Sequence, residues 1–174
     1  MICVADGFAT SMPRVDIVGA RGKNLDPRVL VEALQNLGAG RGLVLNADLV
    51  CGIDHLRSAI AHAKRAFERG RNVSSTLAME TMLYASGERQ ISRAMDKIGV
   101  GEGAERIAMV LFDVENFDVT LSSLGLTRDD SVIGPSTEKV ISFGIMEQEM
   151  AAVPEETLPD LVLERVAFVE LQKR

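Results

Sequence analysis

Between positions 76 and 86 the chain is almost wholly apolar or small, with a single charge, Glu80. As a helix such a segment has no continuous polar face, so the fold must pack it on nearly every side. A buried carboxylate without a partner costs several kcal/mol. Glu80 is therefore either the one exposed residue of a buried helix or half of a buried pair. Ser74, Ser75 and Thr76 ahead of it are cap-type residues. Ser86-Gly87 breaks the helix, and a second one restarts with Arg89 and Arg93. The spacing predicts helices over 75–85 and 88–98, so 72–94 is a helix-turn-helix and the expected seat of function. Arg89 lies across the turn. Either it folds back to pair with Glu80 and fixes the angle between the helices, or it contacts a ligand with its bidentate, stacking fork.

The rest of the chain supplies the frame. Val15 to Val18 reads as a short strand. Asp26-Pro27 opens a helix with proline at its first position. Leu43 to Leu45 is a strand after the glycine-rich turn 38–42. A helix is predicted over 54–69, with Ile53, Leu56, Ile60, Ala63 and Phe67 as its buried stripe and Arg57, Lys64, Arg65 and Arg69 off it. The apolar run 106–112 is a strand suited to the middle of a sheet. Helices are expected over 115–124, 136–146 and 158–163, a turn over 129–135, and a last strand over 166–171. Three helices between two strands do not suit a βαβ repeat. The expected architecture is α+β, a single domain over 13–174 with helices packed around a small, mainly antiparallel sheet. Residues 1–12 are expected to be an N-terminal extension, a loose arm or an added strand, without the pattern of a signal peptide.

Charge narrows the function classes. The net charge of −6 argues against general nucleic-acid binding. Between 54 and 97, however, eight Lys/Arg stand against five Asp/Glu, while the remainder holds 11 basic and 20 acidic residues. This local excess reads either as a solvated helix face or as a patch for a short phosphate stretch, guarded from promiscuous binding by the acidic remainder. With no Trp and one Tyr, Tyr84, a broad aromatic platform for single strands is not expected, though a small pocket for one or two nucleotides is compatible. No apolar run reaches the ~18 residues of a membrane span. Cys3 and Cys51 form no paired motif and read as small hydrophobes in a reducing compartment.

Motifs for catalysis are wanting. Gly99-Val100-Gly101-Glu102-Gly103 follows a helix and precedes a strand, the reverse of a phosphate-binding order, so it reads as a turn. Gly19-Ala20-Arg21-Gly22-Lys23 lacks Walker spacing and also reads as a turn. His55 and His62 sit seven residues apart, roughly 10.5 Å along a helix, too far to share one metal, and read as solvent-facing. Asp129-Asp130 and Glu155-Glu156 read as structural, in a turn and at a helix start. No catalytic residue, metal ligand or cofactor is assigned.

Several of these residues together resemble a known family. Leu45-Asn46-Ala47-Asp48, His55, Ala59, Asn72, Ser74, Glu80, the run Ser86-Gly87-Glu88-Arg89-Gln90-Ile91, Ala94, Gly99 and Glu164-Arg165-Val166-Ala167 carry the likeness. The chain resembles the small accessory subunit of the KEOPS (EKC) complex, the PRPK-binding-protein family, most clearly over 43–112. The resemblance implies an α+β fold without enzymatic activity and a cytoplasmic subunit that binds an atypical protein kinase. It also implies capture of tRNA by its single-stranded 3′ CCA end, for threonylcarbamoyladenosine modification at position 37. On this basis Lys64, Arg71, Asn72, Arg89 and Arg93 are the expected RNA contacts. The alternative is a protein-interaction module that regulates the kinase without touching RNA. A small-molecule enzyme is the reading with least support.

Overall fold

The computed structural model describes residues 13–38 and 41–172. The expected extension 1–12 and Cys3 lie outside them. Among the described residues four strands make one sheet: β1 (Val15–Leu25), β2 (Gly42–Asn46), β3 (Ala104–Phe112) and β4 (Thr127–Arg128). Their order is β2-β3-β1-β4, and every pairing is antiparallel. The helices are α1 (Pro27–Asn36), α2 (Ile53–Glu68), α3 (Leu77–Ser86), α4 (Ile91–Ile98), α5 (Phe117–Ser123), α6 (Thr137–Phe143), α7 (Glu147–Met150) and α8 (Leu158–Gln172). This is the expected α+β domain.

The apolar run at 106–112 is central for the reason its sequence suggests. Ala108, Val110 and Phe112 of β3 face one core, shared with α2, α3 and α8. Ile107, Met109 and Leu111 face a second core with Leu30 and Leu34 of α1 and Leu121 of α5. A strand covered on both faces cannot alternate apolar and polar residues. Local signals also hold at α1, where the Asp26 carboxylate accepts from the Arg28 N–H at 2.8 Å ahead of Pro27.

Four expectations fail. The predicted strand 166–171 is the second half of α8. Its β-branched residues read as strand, but Leu158, Leu161, Val162, Val166 and Val169 recur at helical spacing and are buried against α2, α3 and α6. The predicted turn at 19–23 lies inside β1. Its glycines serve close approach: a Cβ on Gly19 would lie 2.5 Å from the Asp129 carbonyl oxygen, and one on Gly22 would strike Leu25 and Leu126. The α2 stripe is rotated. Its buried face is His55, Leu56, Ala59, Ile60, Ala63 and Ala66, whose small residues admit α3 and α8 closely, while Ile53 is 41% exposed. The fourth failure is the pair of histidines, neither of which faces solvent.

α3 is buried nearly all round, as its composition requires. Thr76 caps its start by accepting from the Met79 N–H, and Gly87 ends it in the left-handed region at φ 71°. A Cβ at Gly87 would meet nothing closer than 3.6 Å. Gly87→Ala should therefore cost only the left-handed backbone term, about 1 kcal/mol, read as a lower urea midpoint. A loss several times larger would mean that the turn tolerates no side chain.

Candidate functional site

The helix-turn-helix owes its shape to two buried polar residues. Glu80 is fully buried, and its Oε2 accepts from the backbone N–H groups of Val73 and Ser74 at 3.0 and 2.9 Å and from the Ser74 hydroxyl at 2.9 Å. It thereby pins the 72–76 loop to the first turns of α3. Of the two readings of Arg89, the pair with Glu80 is not formed. Arg89 sits beyond the far end of α3 and donates instead to the Gln172 carbonyl oxygen at 3.1 Å.

His55 fixes the other end of α3. Its Nδ1 accepts from the Cys51 N–H at 3.1 Å, so Nε2 carries the proton and donates to the Ala85 carbonyl oxygen at 2.8 Å. That carbonyl belongs to the last turn of α3, where helices leave carbonyls without intrahelical donors. Burial pushes the imidazole pKa down to about 4, against the hydrogen bond to Ala85. Cys51 beside it is buried too, and burial raises its thiol to about 11, so the thiolate is disfavoured. The start of α2, the end of α3 and the Gly87–Arg89 turn are thus tied together by one neutral ring.

The last turn of α8 completes the site. Glu170 accepts from the Tyr84 hydroxyl at 3.0 Å, lies 3.6 Å from His62 Nδ1 and pairs with Arg69 at 3.5 Å. His62 is half-buried and stacks on the Tyr84 ring, with centroids 5.3 Å apart. Burial works to raise the Glu170 carboxyl, yet the hydrogen bonds from Tyr84 and His62 leave it below its usual range. Burial, then the bond to Glu170, lifts the Tyr84 phenol well above its ordinary value. Arg69 and Arg89 therefore both reach the end of α8, from α2 and from the turn before α4.

The five expected RNA contacts do not form one row. Arg71 is exposed just beyond α2, and its backbone N–H closes that helix onto the Ala66 carbonyl at 2.8 Å. Asn72 spends its amide N–H on the Ser74 carbonyl at 2.9 Å, inside the loop that Glu80 holds. Arg93 is exposed on α4, four residues past Arg89. Lys64 lies elsewhere, in a groove with Arg57 between α2 and the start of β1. The sequence reading missed Arg69, His62, Tyr84 and Glu170 as a cluster. Reading 166–171 as strand concealed the end of α8, although the single tyrosine of the chain was a usable signal.

The arrangement offers guanidinium groups at a rim, a stacked His62–Tyr84 pair and a carboxylate that partly neutralises them. Among the described residues no three His, Cys, Asp or Glu side chains gather as a metal site, and no helix is long and apolar enough to cross a membrane. Such a surface suits recognition of a charged partner.

Known proteins share this chain. Residues 32–142 match the family described as Kinase binding protein CGI-121. The Regulatory protein Cgi121 of Methanocaldococcus jannaschii is 31% identical over 159 residues, covering 90% of this chain and 98% of its own. The chain belongs to the CGI-121 family. This is the family of the kinase-binding subunit of KEOPS, which agrees with the resemblance read from the residues above. The CGI-121 match runs from within α1 to within α6, so it contains His55, Glu80, the turn with Arg89, and all of β2 and β3.

Proposed function

We propose that this chain is a non-catalytic, cytoplasmic regulatory subunit of a KEOPS-type complex that holds the atypical kinase subunit and recruits tRNA by its 3′ CCA end. Family membership supports the kinase partner. The observation that supports the RNA role is the meeting of Arg69 and Arg89 at the end of α8, with Arg71 and Asn72 two and three residues beyond Arg69 and Arg93 on the following helix. Arg71, Arg89 and Arg93 would meet phosphates or bases, and Asn72 keeps its side-chain carbonyl for a base edge. RNA would compete with a single exposed carbonyl, that of Gln172, for Arg89.

The test is a titration with one tRNA, intact and lacking its terminal CCA, at two salt concentrations. Binding should require the CCA end and weaken with salt. Arg89→Ala should weaken it by about 1–3 kcal/mol, the scale of a charged or stacked contact. Because Arg89 contributes one exposed hydrogen bond to the fold, the variant should lose no more than about 1 kcal/mol of stability. Unchanged affinity in the folded variant would remove Arg89 from the site. The net charge of −6 and the carboxylate of Glu170 within the cluster favour a second reading, a kinase regulator without RNA contact. No salt-dependent binding to either tRNA would decide for it.

A further inference from the structure

Among the described residues the outer side of β1 is paired over only part of its length. β4 pairs with β1 only at Ala20 and Arg21. One residue earlier, the Gly19 N–H donates to the Asp130 carboxylate at 2.9 Å and the Gly19 carbonyl accepts from the Asp129 N–H at 2.8 Å. Successive residues of a strand turn their backbone groups to opposite edges, and the register of β1 against β3 is regular from Val15 to Arg21. The backbone groups of Ile17 and Val15 therefore point the same way as those of Gly19. There, among the described residues, no strand or turn meets them. Exposed edges are commonly blunted by proline, lysine or a bulge. This one carries none of these at 15–18, and its only charge, Asp16, is paired with Arg14 at 3.0 Å.

Beside the edge lies a groove of about 460 Å³, with Val15 and Ile17 on the strand side and Ile53, Arg57, Ile60 and Lys64 on the α2 side. Ile53, at the start of α2, is 41% exposed. Arg57 is exposed and shares Asp54 at 3.2 Å, and Lys64 stands two turns along the same flank. Among the described residues the groove thus combines unpaired main-chain groups, an apolar floor and two cations, with Asp16, held by Arg14, on its strand side.

We propose that this groove takes an extended acidic segment of a partner protein, which adds to β1 as a further strand. Main-chain hydrogen bonds to Ile17 and Val15 supply its register. Its side chains on the α2 side carry the acidic groups, which meet Arg57 and Lys64 beside Ile53 and Ile60. Charge selects this occupant over a second copy of the chain, which would bring Arg57 and Lys64 against their own likenesses. It also selects it over residues 1–12, whose only charge is Asp6.

The test uses the full chain and a labelled decapeptide of alternating glutamate and valine, with lysine replacing glutamate in the control. The acidic peptide should bind and slow amide exchange at Val15 and Ile17, and the lysine peptide should bind at least about tenfold more weakly. The double variant Arg57→Glu, Lys64→Glu, made at solvent-accessible positions, should reverse the preference. Equal binding of both peptides, no binding, or binding without protection at Ile17 overturns the proposal. So does strong protection of Ile17 in the free chain, which would mean that the edge is already covered. A mass measurement would then separate a second copy from residues 1–12.

Discussion

Glu80→Ala should destabilise the protein by about 3 kcal/mol, measured as a lower urea midpoint at neutral pH. The carboxylate is fully buried and accepts from two backbone N–H groups and one hydroxyl. Alanine removes the acceptor and leaves these donors to find water in a packed loop, at about 1–3 kcal/mol for each that cannot. Val73 is exposed enough for its N–H to be resolvated, which holds the total below the full sum. Glu80→Gln keeps an oxygen for the same donors and should cost about half as much. The loss should appear first as faster amide exchange at Val73 and Ser74. A loss below about 1 kcal/mol for alanine would show that the 72–76 loop holds its shape without the carboxylate. In that case the placement of Arg71 and Asn72 would owe nothing to Glu80.

The second large effect is on pH. His55 stays neutral in the fold down to about pH 4, whereas in the unfolded chain it takes a proton near 6.5. Between these values the unfolded state binds the extra proton, so stability falls as pH falls. Each pH unit costs about 1.4 kcal/mol, giving a loss of about 3 kcal/mol that is absent above 6.5 and complete below 4. The cause is burial first. In addition, a proton on Nδ1 would face the Cys51 N–H that now donates to it. Urea unfolding from pH 7.5 to 4 should show this slope in the parent chain and a flatter one in His55→Gln. The comparison cancels Asp129, Glu149 and Glu170, whose lowered carboxyl pKa values also remove stability in acid. If the two chains lose stability in parallel, the proton is taken up elsewhere.

Recognition of the site from residue type was uneven for physical reasons. Glu80 was legible because a lone charge in an apolar helix must be satisfied, but two of its donors are backbone N–H groups, which every residue carries and no pattern singles out. A pair with Glu80 is one of the two readings Arg89 offers, but Arg89 belongs to the α8 end. His55 was read as solvent-facing because imidazole is polar, yet two backbone groups satisfy both of its nitrogens. Lys64 and Arg71 lie on one stretch of sequence, but α2 ends at Glu68 and Gly70 turns the chain through the left-handed region at φ 62°, so Arg71 leaves the helix face that carries Lys64. The cluster around Glu170 joins residues up to 108 positions apart, Glu170 and His62 among them.

The sequence by itself determined the helix-turn-helix, the central strand β3, the helix ends at Asp26 and Gly87, and the family. These rest on local chemistry: periodicity, cap-type side chains and motif order act within a few residues of one another. Only the tertiary structure decided that 166–171 is helix, that 19–23 is strand, which face of α2 is buried, and what holds Glu80 and His55. Each of those outcomes is set by burial against distant elements. The free energy of packing Val166 and Val169 under α2 and α3, or of closing Gly19 against Asp129, exceeds the few tenths of a kcal/mol by which local propensity ranks the alternatives.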